Sequence, residues 1–351
     1  MHRSIVKVMR RGAATDASHA EVLARVRESS TRLTLGGNDA GDTVAVWRAR
    51  TAVKIASSLA GQSFDKPLVL ASGGAQPVLA AGPKRRFAVA WVARRGTRVR
   101  VAIGTTGSGF SRRATIPSRD PVALHLTFNR RGAVFLLVEE YADRAAAWLR
   151  PRGQDWRSAG TVPGSEVASG GTEAALRPDG SMVALLSGWR GETGVAATYG
   201  TRAKGWTKPR VLAPRGQFAV LGATADGEIA AVCNLYTRAG VPEGVATAVA
   251  APDERLGRMD RLAGDDATRA AIDVSDRGAR LATWEQGRNR DGTASLRYAA
   301  WRASGVRRMG SVQDGHVDEH DAAVADDGRA LIVWTHGGSG RRAGLYFTVV
   351  R

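Results

Sequence analysis

Residues 321–334 read DAAVADDGRALIVW, which is a short apolar run, an Asp-Asp-Gly turn and a second apolar run ending at Trp334. This pattern predicts a β-hairpin, because the tight turn between two strands needs a residue at positive φ, and Gly328 adopts that conformation without steric cost. Related hairpins recur, with turns at residues 40–41, 84–86, 131–132, 179–180, 226–227 and 277–278. Seven copies of one hairpin indicate a protein built from repeats.

Each of the first six hairpins belongs to a longer unit of four β-prone runs joined by short turns. The units span residues 32–71, 77–116, 123–162, 174–213, 220–263 and 270–312. The residue that closes the turn between the third and fourth runs recurs at spacings of 46, 46, 50, 50 and 50, at Phe64, Phe110, Trp156, Trp206, Leu256 and Val306. Such a period with four strands per unit is typical of β-propeller blades.

The sequence therefore predicts an all-β fold, a seven-bladed β-propeller of four-stranded antiparallel blades. The last unit has three strands, and the strand expected at residues 21–26 would supply its fourth, closing the ring and removing exposed edges. Six blades is the alternative, if residues 77–116 form an irregular insertion. Residues 1–20 are predicted to be a flexible tail, and residues 21–351 a single propeller domain.

The composition limits the classes of partner. The chain has 51 Lys and Arg residues against 33 Asp and Glu, a formal net charge of +18. The arginines are spread along the chain and no arginine block concentrates the charge, so we interpret them as solvated surface residues that attract polyanions in a salt-sensitive way, without specific nucleic-acid recognition. No apolar run is long enough for a membrane span, and no signal-peptide core is visible. Cys233 is the single cysteine, so an internal disulfide is excluded. Separately, we expect the protein to be a monomer.

One turn resembles a known repeat motif. Residues 57–64, SSLAGQSF, have the spacing of the Asp box (Ser-x-Asp-x-Gly-x-x-aromatic) of sialidase-like, bacterial-neuraminidase-repeat propellers, with Leu59 in place of the aspartate. Two later turns keep the Gly-x-x-aromatic spacing, and a third has moved its glycine: Gly107 with Phe110, Gly153 with Trp156, and Gly205 beside Trp206. The resemblance implies a propeller that is secreted or in the cell envelope. It also implies a structural, non-catalytic role for the box.

In propellers of that class, ligands usually bind at the loops between the second and third strands. The candidate binding residues on those loops are Arg48, Arg94, Glu139, Tyr141, Trp189, Arg190, Tyr236, Glu285, Arg288 and His336. A sialidase-like hydrolase would need three arginines that grip a carboxylate, a tyrosine nucleophile activated by a glutamate, and an acid/base aspartate. Tyr141 with Glu139 or Glu140, or Tyr236, could serve as the nucleophile, but no motif selects them.

His316 and His320 lie four residues apart among carboxylates and are candidate metal ligands. On a loop this spacing does not place both rings on one side, so we expect a solvated acidic loop, with no metal and no cofactor. The sequence thus favours a non-enzymatic propeller whose loop face binds a carbohydrate, an anionic polymer or a protein partner. The alternative is a sialidase-like glycoside hydrolase.

Overall fold

The protein is described by a computed structural model. It covers residues 4–8, 21–26, 33–38, 40, 42–59, 62, 64–93, 96–141, 144–168, 171–188, 194–275, 277–287, 293–302, 308–317, 319–324, 328, 330–336 and 344–350. Apart from one 3₁₀ turn at Ser165–Val167, the regular structure in these residues is entirely β. None of it contains a helix long and apolar enough to cross a membrane. The chain forms two compact units, Met1–Thr161 and Val162–Arg351.

The first unit contains a two-stranded sheet followed by three four-stranded sheets, all antiparallel. Within each four-stranded sheet, strands that are consecutive in the chain are neighbours. The strands are β1 Ser4–Val8, β2 Glu21–Val26, β3 Leu33–Gly37, β4 Thr43–Ala49, β5 Ala52–Ser58, β6 Leu68–Ala71, β7 Ala75–Ala81, β8 Arg86–Val92, β9 Arg98–Thr105, β10 Gly109–Pro117, β11 Pro121–Phe128, β12 Val134–Glu140, β13 Arg144–Arg150 and β14 Arg157–Thr161.

The second unit contains four further antiparallel sheets, the last of which has three described strands. In the first of them β18 and β19 both pair with β17, so they act as one interrupted fourth strand. The strands are β15 Thr172–Leu176, β16 Met182–Ser187, β17 Val195–Thr201, β18 Gly205–Trp206, β19 Arg210–Ala213, β20 Gly216–Ala223, β21 Ile229–Tyr236, β22 Pro242–Ala250, β23 Asp260–Ala263, β24 Ala267–Val274, β25 Arg280–Gln286, β26 Thr293–Trp301, β27 Arg308–His316, β28 Glu319–Val324, β29 Ala330–His336 and β30 Gly344–Val350.

Among the described side chains, the second strands of the four-stranded sheets are largely buried on both faces, because residues from both sides of the strand pack into the core. Every residue of β16 is buried, and β8 is buried from Phe87 to Val92. Hydrophobic clusters join consecutive sheets: Val46 of β4 and Val89 of β8 lie in one cluster, which is how blades stack. The prediction of an all-β fold built from four-stranded antiparallel sheets is confirmed.

Three details differ from the sequence predictions or refine them. Ser4–Val8 forms a strand where a tail without strands was expected. The predicted strand at Glu21–Val26 forms, but its partner is β1 and not the last sheet, so the predicted pairing is wrong. The glycine-free turn at residues 84–86 forms with both Lys84 and Arg85 at positive φ. The number of blades and the single-domain assignment stay predictions.

Candidate functional site

The first strands of three sheets carry a β-bulge whose central residue has positive φ although it is not glycine. These residues are Gln76 (φ +49°) in β7, Phe218 (φ +50°) in β20 and Arg269 (φ +52°) in β24. Positive φ at a bulky residue costs on the order of 1–3 kcal/mol, and bulges re-aim side chains beside functional sites. Phe218 is 54% exposed, and the Arg269 side chain is 49% exposed. At Phe218 and Arg269 the strained backbone therefore presents the side chain to solvent.

Phe218 is half of an aromatic pair. Its ring centroid lies 6.4 Å from that of Tyr236 at the end of β21, with an interplanar angle of 69°. Burial raises the pKa of the Tyr236 hydroxyl above its ordinary value. The pair offers an apolar ring face next to a neutral hydroxyl that can donate or accept a hydrogen bond.

Arg269 belongs to a charged cluster centred on Glu285, whose side chain on β25 is completely buried. Arg269 Nη1 donates to Glu285 Oε1 at 3.2 Å, and His320 Nδ1 of β28 lies 3.9 Å from the same oxygen. Burial lowers the pKa of His320, although the charge of Glu285 opposes that shift. The imidazole is therefore neutral near pH 7, and the guanidinium is the charge that balances the carboxylate.

A repeated hydrogen bond links the sheets that carry the aromatic pair and the charged cluster. The seventh residue after the turn glycine is Ser187, Asn234 and Glu285 in three successive sheets. The Ala219 N–H, next to Phe218, donates to Ser187 Oγ at 2.9 Å, and the Ala270 N–H, next to Arg269, donates to Asn234 Oδ1 at 3.0 Å. Each of the first two sheets thus holds the bulge of the following one. In the third sheet Glu285 contacts Arg269 and His320 instead.

We call the group of Phe218, Tyr236, Arg269, Glu285 and His320 the bulge site. Tyr236 and Glu285 were predicted as binding residues. His320 was predicted only as a metal candidate, and no group of three metal-ligating residues occurs in the described part of the chain. Sequence reasoning missed Phe218 and Arg269 because it searched the loops, and these residues lie inside strands. Alignment of the repeats on the turn glycine would have found both at one position.

The other predicted binding residues of the second unit are not placed by the structure. Three of them lie outside the described residues: Trp189, Arg190 and Arg288. The same holds for Arg94 of the first unit. His336 and His316 end β29 and β27, and their side chains also lie outside the description. Arg48 is exposed, and its Nε donates to the Arg50 carbonyl at 2.7 Å.

In the first unit, the two glutamates predicted to activate Tyr141 contact other residues. Tyr141 is 74% exposed. Glu139 Oε1 lies 3.3 Å from His125 Nε2, and Glu140 Oε1 accepts a hydrogen bond from Ser118 Oγ at 2.9 Å. Both carboxylates of β12 therefore have partners within the same sheet region: His125 in β11 and Ser118 in the loop before it.

No protein-family model and no curated protein sequence matches this chain. Solved structures do match. The BP39L lectin from Burkholderia pseudomallei is 11% identical with a TM-score of 0.63, over 91% of this chain and 96% of that one. A prolyl endopeptidase is 13% identical with a TM-score of 0.57, over 92% of this chain but half of its own length. A polysaccharide lyase, the PL25 ulvan lyase, is 11% identical with a TM-score of 0.55, over 90% and 91% of the two chains.

These similarities decide the fold. The chain has a β-propeller fold. At such identities they carry no further conclusion, since a lectin, a peptidase and a lyase share the architecture. Membership of the narrower sialidase-like class stays a prediction, and the function of this propeller has to be argued from its own site.

Proposed function

We propose that the protein is a carbohydrate-binding propeller whose ligand occupies the bulge site. The observation that carries the proposal is the exposed Phe218 ring, held at a strained bulge in the sheet next to the Arg269–Glu285 pair. A sugar has an apolar C–H face, which packs on an aromatic ring, and hydroxyl groups, which need donors and acceptors in fixed positions. Phe218 supplies the first, and Tyr236 and the Arg269–Glu285 pair supply the second.

The same residues favour binding over hydrolysis. Glycoside hydrolysis commonly uses two carboxyl groups roughly 5–9.5 Å apart. The bulge site, as described, has one carboxylate, Glu285, and a guanidinium contacts it. A sialidase-like enzyme would use a tyrosine as nucleophile, but burial raises the pKa of Tyr236 and so makes the reactive phenolate harder to form. We therefore propose a binding protein.

The test is a glycan array with the full-length protein, followed by calorimetric titration of the strongest glycan. Phe218→Ala is expected to weaken binding about threefold to tenfold, through loss of ring contact. Arg269→Gln is expected to weaken it about tenfold to a hundredfold, through loss of a charged donor. Met309→Ala is the matched control, because Met309 is 57% exposed on β27, outside the site, and should bind like the wild type.

Two outcomes would contradict the proposal. The first is a protein that binds no glycan above background, or whose Phe218 and Arg269 variants bind as tightly as the wild type. The second is turnover of a fluorogenic sialoside or glycoside that Tyr236→Phe abolishes, which would favour the hydrolase.

A further inference from the structure

The positive charge of this chain is concentrated in one stretch. Between Lys66 and Arg119 there are eleven basic residues and no aspartate or glutamate. These basic residues are Lys66, Lys84, Arg85, Arg86, Arg94, Arg95, Arg98, Arg100, Arg112, Arg113 and Arg119. The stretch contains the whole sheet β7–β10 and contributes more than half of the net charge of +18. The arginines are spread along the chain, but the absence of acidic residues concentrates the net charge in this sheet.

Three of these arginines lie on one face of the sheet. Arg98 and Arg100 of β9 are exposed and alternate with buried valines. In the register with β10, Arg100 is opposite Thr115, and Ala102 is opposite Arg113, which is also exposed. Because opposite residues point to the same side and every second residue shares a face, Arg98, Arg100 and Arg113 project together. Arg98 and Arg100 have Cα atoms roughly 7 Å apart. We call these three residues the β9–β10 arginine face.

Among the described residues, the arginine face has no ion-pair partner, whereas other arginines of the same sheet have structural partners. Arg85 Nε lies 3.5 Å from the buried carboxylate of Asp42, and Arg86 donates to the Gly132 carbonyl at 3.1 Å. Within the described part of the chain, none of the three guanidinium groups of the face forms an ion pair. Like charges on neighbouring strands repel each other, so the face carries an electrostatic cost that an anionic partner would remove.

We propose that the β9–β10 arginine face binds an anionic polysaccharide, with sulfate or carboxylate groups of the chain held by the guanidinium forks. Arginine matches such planar or tetrahedral oxyanions with two parallel hydrogen bonds. A single-stranded nucleic acid would need exposed aromatic rings for base stacking, but the aromatic residue of these strands, Phe110, is half-buried against the core. Reading a duplex would need an element that enters a groove, and the face lies on strands within a four-stranded sheet. The inference concerns the first unit and does not rest on the bulge site.

The test uses the full-length protein with heparin as the sulfated probe, and measures Kd as a function of NaCl concentration. The variant is Arg98→Gln/Arg100→Gln/Arg113→Gln. Its matched control is Arg157→Gln/Arg202→Gln/Arg258→Gln, which removes the same charge from exposed positions elsewhere. The first variant should bind at least about tenfold more weakly at low salt, and the slope of log Kd against log salt should fall by roughly 2–3. The control should keep the wild-type slope to within about one.

Equal weakening of the two variants would overturn the proposal, since net charge would then explain the binding. Tighter binding of DNA than of heparin at matched salt, lost in the first variant alone, would overturn the polysaccharide assignment. Melting temperature checks folding. If the triple variant is unfolded, the three single Arg→Gln variants are measured instead, and wild-type affinity in all of them would also overturn the proposal.

Discussion

His320 lies in β28 with its side chain buried, facing the completely buried carboxylate of Glu285. Desolvation disfavours the charged imidazolium and lowers the pKa of His320, and the nearby positive charge of Arg269 acts in the same direction. The charge of Glu285 and the neighbouring backbone of Thr283 and Arg269 oppose the shift without cancelling it. The folded protein thus keeps this imidazole neutral in a pH range where an exposed histidine takes up a proton.

The shifted pKa predicts a pH-dependent stability. Between the unfolded pKa of about 6.5 and the lower folded pKa, the unfolded chain binds a proton that the folded chain does not. The free energy of unfolding should therefore fall as the pH falls through this range, by at most about 1.4 kcal/mol per pH unit. Urea unfolding at about pH 7.5 and about pH 5.5 should show a smaller fall in His320→Gln than in the wild type. The same fall in both proteins would contradict the prediction.

At the scale of elements, consecutive sheets are joined by arginines at the turn edge. Arg177, buried just after β15, donates from Nε to the Gly227 carbonyl at 3.1 Å and from Nη2 to the Ala251 carbonyl at 3.2 Å. Arg86 donates from Nη1 to the Gly132 carbonyl at 3.1 Å. Each arginine reaches the turn glycine of the following sheet, 50 and 46 residues later. The repeat period of the sequence is therefore also the period of a sheet-to-sheet contact.

Loss of such an arginine should destabilise the unit that contains it. Arg177→Gln is expected to lower the free energy of unfolding by about 2–4 kcal/mol, because buried carbonyls lose charged donors. Arg177→Lys should lower it as well, since an ammonium cannot reproduce the guanidinium fork. Arg131→Gln, at an exposed turn position, is the control and should change it by less than about 0.5 kcal/mol. Urea unfolding measures all three, and an Arg177→Gln variant as stable as the control would refute the contact's importance.

At the scale of the molecule, Cys233 lies inside the core cluster of the second unit, which is formed by strands of consecutive sheets. Its Sγ lies 3.5 Å from Met259 Sδ, and burial raises the pKa of the thiol to about 12. Since the thiolate is the nucleophile, the folded chain suppresses its reactivity both by burial and by protonation. The single cysteine can therefore report on opening of this unit.

Alkylation of the native protein by iodoacetamide near pH 8 should be more than about 1,000-fold slower than that of an unstructured cysteine peptide. One thiol per chain should react at the peptide rate in denaturant. Ser111→Cys, at an exposed position of β10, is the control and should add a thiol that reacts in the native state. Rapid alkylation of Cys233 without denaturant would show that the core is not closed.

The sequence by itself determined the features that depend on local chemistry. Turn glycines such as Gly132, Gly180 and Gly227 adopt positive φ where the hairpins were predicted, and the strands after them are buried on both faces as their unbroken apolar runs require. These properties are set by single residues and their immediate neighbours, so they recur at a readable period. They sufficed for the all-β, four-stranded architecture, and they brought Tyr236 and Glu285 into the candidate set.

Only the tertiary structure decided which distant residues meet. It paired β2 with β1, placed Phe218 and Arg269 in strand bulges, and brought His320 to Glu285 from another sheet. A one-residue shift in register turns a side chain to the other face, and contacts between sheets depend on packing among residues about fifty positions apart. Such long-range contacts leave no local pattern in the sequence. That is why sequence reasoning pointed to the loops, whereas the bulge site lies on strands.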